Sequence, residues 1–308
     1  MKIANLYNKG KPIFSLEVFP PKNGESLNNI YETIDKLISF NPGFVSVTGG
    51  ALGSARGGTI AIAANIKKKY GIESVVHFTC VAKSKQDVEN LLMEMKYSGI
   101  ENVLALRGDP PKGQKNFIPH PEGHKYASEL VEQIVKMNNG IYLSSLPGEI
   151  LEAINFGIAV AGYPEGHNEC ISINGEKTLK EDLENLKIKV DKGADYIVTQ
   201  MFLDTNVYLK FVENARKLGI NIPIIPGVMP LEKYSQVTFI LKQMGISIEK
   251  KFKEILDTHK DDEEYIKKVC EDHIMSMCRT LIENGAPGIQ FFTMNKSEGT
   301  KKILERLL

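Results

Sequence analysis

Residues 74–109 read SVVHFTCVAKSKQDVENLLMEMKYSGIENVLALRGD, and this stretch decides the fold. Residues 74–79 set Val76 and Phe78 on one side against His77 and Thr79 on the other, the period-two pattern of a half-buried strand. Residues 85–97 follow with helical period, and Gly99 stands where a helix is expected to end, because glycine takes the left-handed conformation cheaply. A second apolar run, 102–106, closes on Leu106-Arg107-Gly108-Asp109. Strand, helix and strand at this spacing form one turn of a parallel β/α repeat.

The rhythm continues on both sides. Further strands are predicted at 14–19, 44–48, 158–162, 196–200, 224–227 and 289–292, and helices at 27–39, 60–69, 127–137, 179–192, 207–217 and 265–283. Gly71, Gly193, Gly219 and Gly285 occupy the same helix-ending position as Gly99. Eight strands with intervening helices, and no compositional break or linker, predict an α/β chain folded as a single (β/α)8 TIM barrel across residues 1–308. A doubly wound sheet is disfavoured, because no G-x-G-x-x-G follows any strand and no Walker sequence is present.

Composition narrows the function. The 38 Lys and Arg balance 38 Asp and Glu, so no global field draws a polyanion, and neither nucleic acid nor a membrane surface is the expected partner. Cys80, Cys170, Cys270 and Cys278 are scattered, with no C-x-x-C pair and no histidine at ligand spacing, so no metal site is expected. Few, unpatterned cysteines, a polar start after Met1 and no long apolar run predict a soluble cytoplasmic protein.

In a barrel of this kind chemistry gathers at the C-terminal ends of the strands. Alternation places Phe14, Leu16 and Val18 on one face of the first strand and Ser15 and Glu17 on the other; Val45 and Val47 likewise oppose Ser46 and Thr48. Glu17, Thr48 and His77 therefore point inward from three neighbouring strands. Glu17 is the sharpest signal, because an unpaired carboxylate is costly to bury and desolvation holds its proton near neutral pH, as a general acid requires. The competing reading is a buried ion pair. His77 reads equally as a satisfied core histidine, Asp109 as a turn residue, and Arg107 as a phosphate anchor or a structural ion pair. Asp182, Asn185 and Lys189 share one helix face, which by itself is the spacing of a solvated surface. The rim loops 110–123 and 164–175 follow the fourth and fifth strands. No lysine occupies an inward strand position, which argues against a Schiff-base aldolase.

Together these residues resemble the methylenetetrahydrofolate reductase family, in its bacterial-type form consisting of the catalytic barrel alone. The resemblance spans 14–300 and rests on Ser15-Leu16-Glu17-Val18-Phe19-Pro20-Pro21, Val45-Ser46-Val47-Thr48, His77-Phe78-Thr79-Cys80, Ala105-Leu106-Arg107-Gly108-Asp109, Ala161-Gly162-Tyr163-Pro164-Glu165, Asn185-Leu186-Lys187, Lys189-Val190-Asp191, Thr199-Gln200 and Ile225-Pro226-Gly227. It implies a flavoprotein oxidoreductase of one-carbon metabolism, serving methionine biosynthesis. Such an enzyme reduces 5,10-methylenetetrahydrofolate to 5-methyltetrahydrofolate by ping-pong hydride transfer from NADH or NADPH through non-covalent FAD. It also implies a homo-oligomer.

By resemblance, Glu17 is the acid and Asp109 the carboxylate between flavin and pterin. Thr48, Ala51, His77, Leu106, Arg107, Gly108, Asp109, Tyr126, Ala127, Tyr163, His167, Asp182, Asn185 and Lys189 fall on positions that line FAD or lie close to it. Gln200, Gln236 and Lys296 fall on positions that meet folate or nicotinamide. The chain departs from relatives at Gly49 (a Tyr in one), Ile188 (a flavin-contacting Arg), Lys296 (an Arg) and Ile240 (a stacking Phe, a role open to neighbouring Phe239). Residues 141–155 read as an insertion. Two alternatives stay open: a catalytic subunit fed electrons by a separate iron–sulfur or flavin partner, and a barrel that binds folate or flavin without turnover.

Overall fold

A computed structural model describes residues 1–49, 57–110, 117–167, 169–170 and 178–308. The fold is the expected (β/α)8 barrel. Its parallel strands are β1 (Ile13–Val18), β2 (Phe44–Val47), β3 (Glu73–Thr79), β4 (Asn102–Leu106), β5 (Gly157–Gly162), β6 (Tyr196–Thr199), β7 (Ile224–Ile225), β8 (Gly227–Val228) and β9 (Gly288–Phe292). The sheet order is β7-β6-β5-β4-β3-β2-β1-β9-β8. The run expected as one strand at 224–227 is divided at Pro226, whose ring nitrogen has no hydrogen to give a ladder. Before it, Ile224 and Ile225 pair with β6; after it, Gly227 and Val228 pair with β9. These two pieces occupy one strand position, so nine labelled strands close an eight-position barrel.

Ten helices accompany the strands among the described residues: α1 (Asn28–Leu37), α2 (Thr59–Tyr70), α3 (Lys85–Tyr97), α4 (Ala127–Asn138), α5 (Leu179–Asp191), α6 (Thr205–Lys217), α7 (Tyr234–Met244), α8 (Lys250–Thr258), α9 (Glu263–Glu283) and α10 (Glu298–Leu307). The outward faces of the strands and the inward stripes of the helices form the main core. Leu16 and Val18 of β1 join Ile30, Ile34 and Leu37 of α1 there, each burial contributing roughly 1.5–3 kcal/mol. The five helix-ending glycines all take positive φ. None of the described helices is long and apolar enough to cross a membrane.

A second core fills the barrel floor. Residues Ile3–Lys9 form a 3-10 helix, and Ile3 and Leu6 pack with Phe44, Val75, Leu104, Ala159, Tyr196 and Ile225. Asn102 fixes this plug, accepting from the Ile3 N–H at 2.9 Å and donating to the Met1 carbonyl at 2.9 Å. The segment 141–155 runs between α4 and β5, at the floor end of that strand. There Leu143 N–H donates to Glu89 at 2.8 Å and Lys96 pairs with Glu152 at 2.8 Å. With the floor plugged, the C-terminal mouth is the end of the barrel where polar strand residues collect.

Candidate active site

Glu17 projects inward near the end of β1 and keeps 7% of its surface exposed. Its Oε2 accepts a hydrogen bond from Gln290 Nε2 of β9 at 3.0 Å, and His77 Nε2 of β3 lies 3.4 Å from the same oxygen. The His77 atom makes no hydrogen bond, so this is not a satisfied core histidine. Burial pushes the Glu17 carboxyl up to about 8, against the opposing effect of the Gln290 hydrogen bond. It pushes the His77 imidazole down to about 3. Desolvation therefore favours a neutral pair at pH 7, a protonated carboxyl beside an uncharged ring, rather than the ion pair that was the competing reading of Glu17.

This arrangement costs stability in a defined window. Below about pH 4.5 Glu17 is neutral whether the chain is folded or not, while above about pH 8 the folded protein holds an ionised, desolvated carboxylate. The penalty grows between those limits to the order of a few kcal/mol. Glu17→Gln is expected to raise the melting temperature increasingly from pH 5 to pH 8.5; a difference that stays flat across that range would contradict the neutral-pair reading.

Hydrogen bonds around the β1 end hold Glu17 in place. Thr293 Oγ1 donates to the Glu17 carbonyl at 2.7 Å. Asn295 accepts from the Phe19 N–H at 2.9 Å and donates to the Phe19 carbonyl at 2.8 Å. Met294 and Asn295 both take positive φ, a strained turn fastened by those bonds. Thr48, at the end of β2, has a buried hydroxyl without a hydrogen bond.

The next part of the rim is built from β4, β5 and α5. Leu106 is half-buried at the end of β4, and Gly108 takes φ +93°. A Cβ at Gly108 would lie 2.7 Å from Val81 Cγ1 and 3.2 Å from Thr79 Cβ. Gly108→Ala is accordingly expected to destabilise the fold by roughly 1–3 kcal/mol, read as a drop in melting temperature; an unchanged melt would show that the turn is not constrained. Asp109 is exposed on the rim. The Arg107 guanidinium forms two bonds to Glu169, at 2.5 and 2.6 Å, and lies over the Phe117 ring at 4.6 Å. Arg107 is thus ion-paired with a half-exposed carboxylate across the rim.

Tyr163 follows β5 and meets the His167 ring edge-on at 4.7 Å between centroids. Lys189 of α5 donates to the Ala161 carbonyl at 2.6 Å, and burial lowers its ammonium to about 8. Asp182, one end of the same helix face, is 5% exposed, with Oδ2 buried and without a hydrogen bond. Burial raises its carboxyl to about 6, opposed by the Lys189 charge. Asn185 Nδ2 lies 3.8 Å from Cys170 Sγ, which lies 3.9 Å from Asp182 Oδ1. This helix face therefore turns a buried acid and a half-buried cation toward the β5 end, unlike a plain solvated surface.

The remaining expected positions are less concentrated. Tyr126 is exposed at the start of α4, directly before Ala127, and its N–H bonds Glu129 at 3.3 Å. Gln200, just past β6, accepts from the Met201 N–H at 2.9 Å. Gln236 spends both ends of its amide on its own loop, accepting from Glu232 N–H at 3.0 Å and donating to the Pro230 carbonyl at 3.3 Å. Lys296 is exposed after the strained turn. Ala51 lies outside the described residues. Ile240 is 4% exposed and belongs to the core, whereas Phe239 is 58% exposed, so only Phe239 offers a ring for stacking. A Cβ at Gly49 would lie 3.0 Å from the His77 carbonyl.

Gln290, Thr293, Asn295 and Glu169 are the contacts that sequence reasoning missed. Gln290 carried the same signal as Glu17, a polar residue alternating with Ile289 and Phe291 in a strand; the other three depend on long-range pairing that has no local pattern. Lys83 is a further unread cation, half-buried and donating to Thr79 Oγ1 at 3.3 Å. Among the described residues no group of three or more His, Cys, Asp or Glu is placed to hold a metal ion.

Polar and titratable side chains converging on the mouth of a floor-plugged (β/α)8 barrel define an enzyme-type barrel. The sequence profile of the methylenetetrahydrofolate reductase family matches residues 2–308, and the chain belongs to that family. It is 36% identical over 309 residues to methylenetetrahydrofolate reductase (NADH) 1 of Arabidopsis thaliana, covering 99% of this chain and 50% of that protein. The chain thus spans about half the length of such plant relatives. Against 5,10-methylenetetrahydrofolate reductase of Escherichia coli it is 33% identical over 299 residues, covering 97% of this chain and 92% of the relative. Among solved structures, an uncharacterized protein from Clostridium thermocellum that binds two copies of 5-methyl-5,6,7,8-tetrahydrofolic acid superposes with a TM-score of 0.60 at 14% identity, covering 98% of this chain and 96% of that one. That likeness concerns the fold.

Proposed function

We propose that this chain, acting as one catalytic barrel, reduces 5,10-methylenetetrahydrofolate to 5-methyltetrahydrofolate, with FAD as its bound redox group and NADH or NADPH as reductant. The observation that carries this reading is Glu17, a carboxyl kept protonated by burial at the mouth of a barrel of this family. The folate ring must open before reduction, and opening needs a proton on the departing nitrogen as its bond to the methylene carbon breaks. A neutral Glu17 supplies that proton; a carboxylate ionised at pH 7 cannot.

The mouth also fits a flavin. Two buried polar atoms near the strand ends, Thr48 Oγ1 and Asp182 Oδ2, have no hydrogen-bond partner among the described residues, which is unusual unless a ligand supplies one. Lys189 and Arg107 would hold the pyrophosphate, with Arg107 exchanging Glu169 for phosphate oxygens or retaining it at the rim. Tyr163, His167, Leu106, Asn185, Tyr126 and Ala127 would complete the lining. Bound FAD supplies two-electron hydride exchange between nicotinamide and folate. Asp109 at the rim would hydrogen-bond the pterin, and Gln200, Gln236 and Lys296 would meet folate or nicotinamide, Gln236 after releasing its loop contacts.

The test is anaerobic turnover by the purified chain reconstituted with FAD. Formation of 5-methyltetrahydrofolate with one equivalent of NADH or NADPH consumed is the expected result. Folate and flavin binding without product would contradict it.

A further inference from the structure

We propose that Gln290 is a positioning residue for Glu17: its carboxamide holds Oε2 and leaves Oε1 as the oxygen that presents the proton to substrate. This rests on the reading of Glu17 as the acid.

Gln290 stands on β9 opposite Ser15 and is 1% exposed. Its Nε2 has two hydrogens and two acceptors, Glu17 Oε2 at 3.0 Å and Ser46 Oγ at 3.3 Å, so the donor end is fully used. Its main-chain N–H donates to the Pro226 carbonyl at 3.0 Å, tying the residue to the break in the seventh strand position. Among the described residues this amide makes the one hydrogen bond to the Glu17 carboxyl, on Oε2, and the Glu17 side chain keeps 9% of its surface exposed. An oxygen already accepting an N–H bond is the poorer seat for the proton, which leaves Oε1 to carry it. The other groups packed against Glu17 add no fixed charge: β2 contributes Ser46 and Thr48, β9 contributes Gln290, and β3 contributes His77, whose ring is held neutral by burial.

An N–H bond to a carboxyl favours its ionised form. Gln290 thus keeps the acid from holding its proton too tightly, while burial keeps it from losing the proton too early. Removing the amide should move the Glu17 titration upward and slow proton delivery.

The experiment compares wild type, Gln290→Met, which keeps side-chain length without the amide, and Gln290→Asn, which keeps the amide but withdraws it by one methylene. Carbon-13 NMR of the labelled Glu17 carboxyl, identified by its loss in Glu17→Gln, gives the titration midpoint without any need for turnover. The midpoint is expected to rise by about one pH unit or more in both variants. In rapid-mixing assays the folate half-reaction is expected to slow by roughly tenfold or more, with the nicotinamide half-reaction unchanged. An unchanged midpoint in either folded variant would overturn the proposal. A midpoint that shifts while wild type reduces no folate would leave the Gln290 contact standing and remove the functional reading instead.

Discussion

Glu17→Gln is expected to bind FAD and accept electrons from nicotinamide at the wild-type rate, yet to reduce methylenetetrahydrofolate roughly 10²–10⁴-fold more slowly. The substitution is nearly isosteric and keeps a polar group within reach of Gln290 and His77, so the barrel interior is preserved. What is lost is an acidic proton in a water-poor site. Stopped-flow spectroscopy of the two half-reactions separates the effects. A wild-type rate for the folate half-reaction would mean that the proton comes from elsewhere; equal slowing of both halves would mean that the substitution disturbs the flavin rather than the acid. The pH dependence carries the same sign. With Glu17 pushed up to about 8, the wild-type folate half-reaction should fall as pH rises through that value, and the Gln290→Met enzyme should fall at a higher pH.

Lys189→Met is expected to weaken FAD binding by roughly ten- to a hundredfold, the worth of one charge-assisted hydrogen bond. The ammonium sits half-buried at the end of β5, donating a hydrogen bond to the Ala161 carbonyl, and it opposes the burial penalty of Asp182. Methionine fills much the same volume but removes the cation, so Asp182 should also become harder to ionise. The chain has no tryptophan, so quenching of FAD fluorescence on titration gives the affinity free of energy transfer from tryptophan. Lys189→Arg should recover part of the loss. An affinity for FAD equal to wild type in Lys189→Met would take this helix face out of the cofactor site.

Much of this architecture was legible before the structure, for reasons that are local. Strand alternation is a property of consecutive residues, so β1 to β6 and β9 were found, and the same alternation turned Glu17, Thr48 and His77 inward. Pro226 lay in plain view within 224–227, but its consequence, a strand position shared by two short pieces with different partners, emerges only when the barrel closes. The floor plug went unread because Ile3 and Leu6 alone are too few for a periodic signal. Helices α7, α8 and α10 were likewise not anticipated. Around the site, Asp182 shows where local reasoning stops. Its spacing from Asn185 and Lys189 defines a helix face, yet whether that face meets water or the end of β5 depends on how the helix docks. The Arg107–Glu169 pair is similar, joining two loops that are 62 residues apart in sequence.

The most direct test of the central claim is the visible absorption spectrum of the FAD-reconstituted protein under anaerobic conditions, recorded first with NADH or NADPH and then with methylenetetrahydrofolate. The expected result is a flavin spectrum that bleaches on the first addition and returns on the second. A flavin that stays oxidised with nicotinamide, yet once chemically reduced is reoxidised by the folate, would point to electrons delivered by a separate protein. A barrel that takes up no flavin, or a reduced flavin that the folate leaves untouched, would contradict the account.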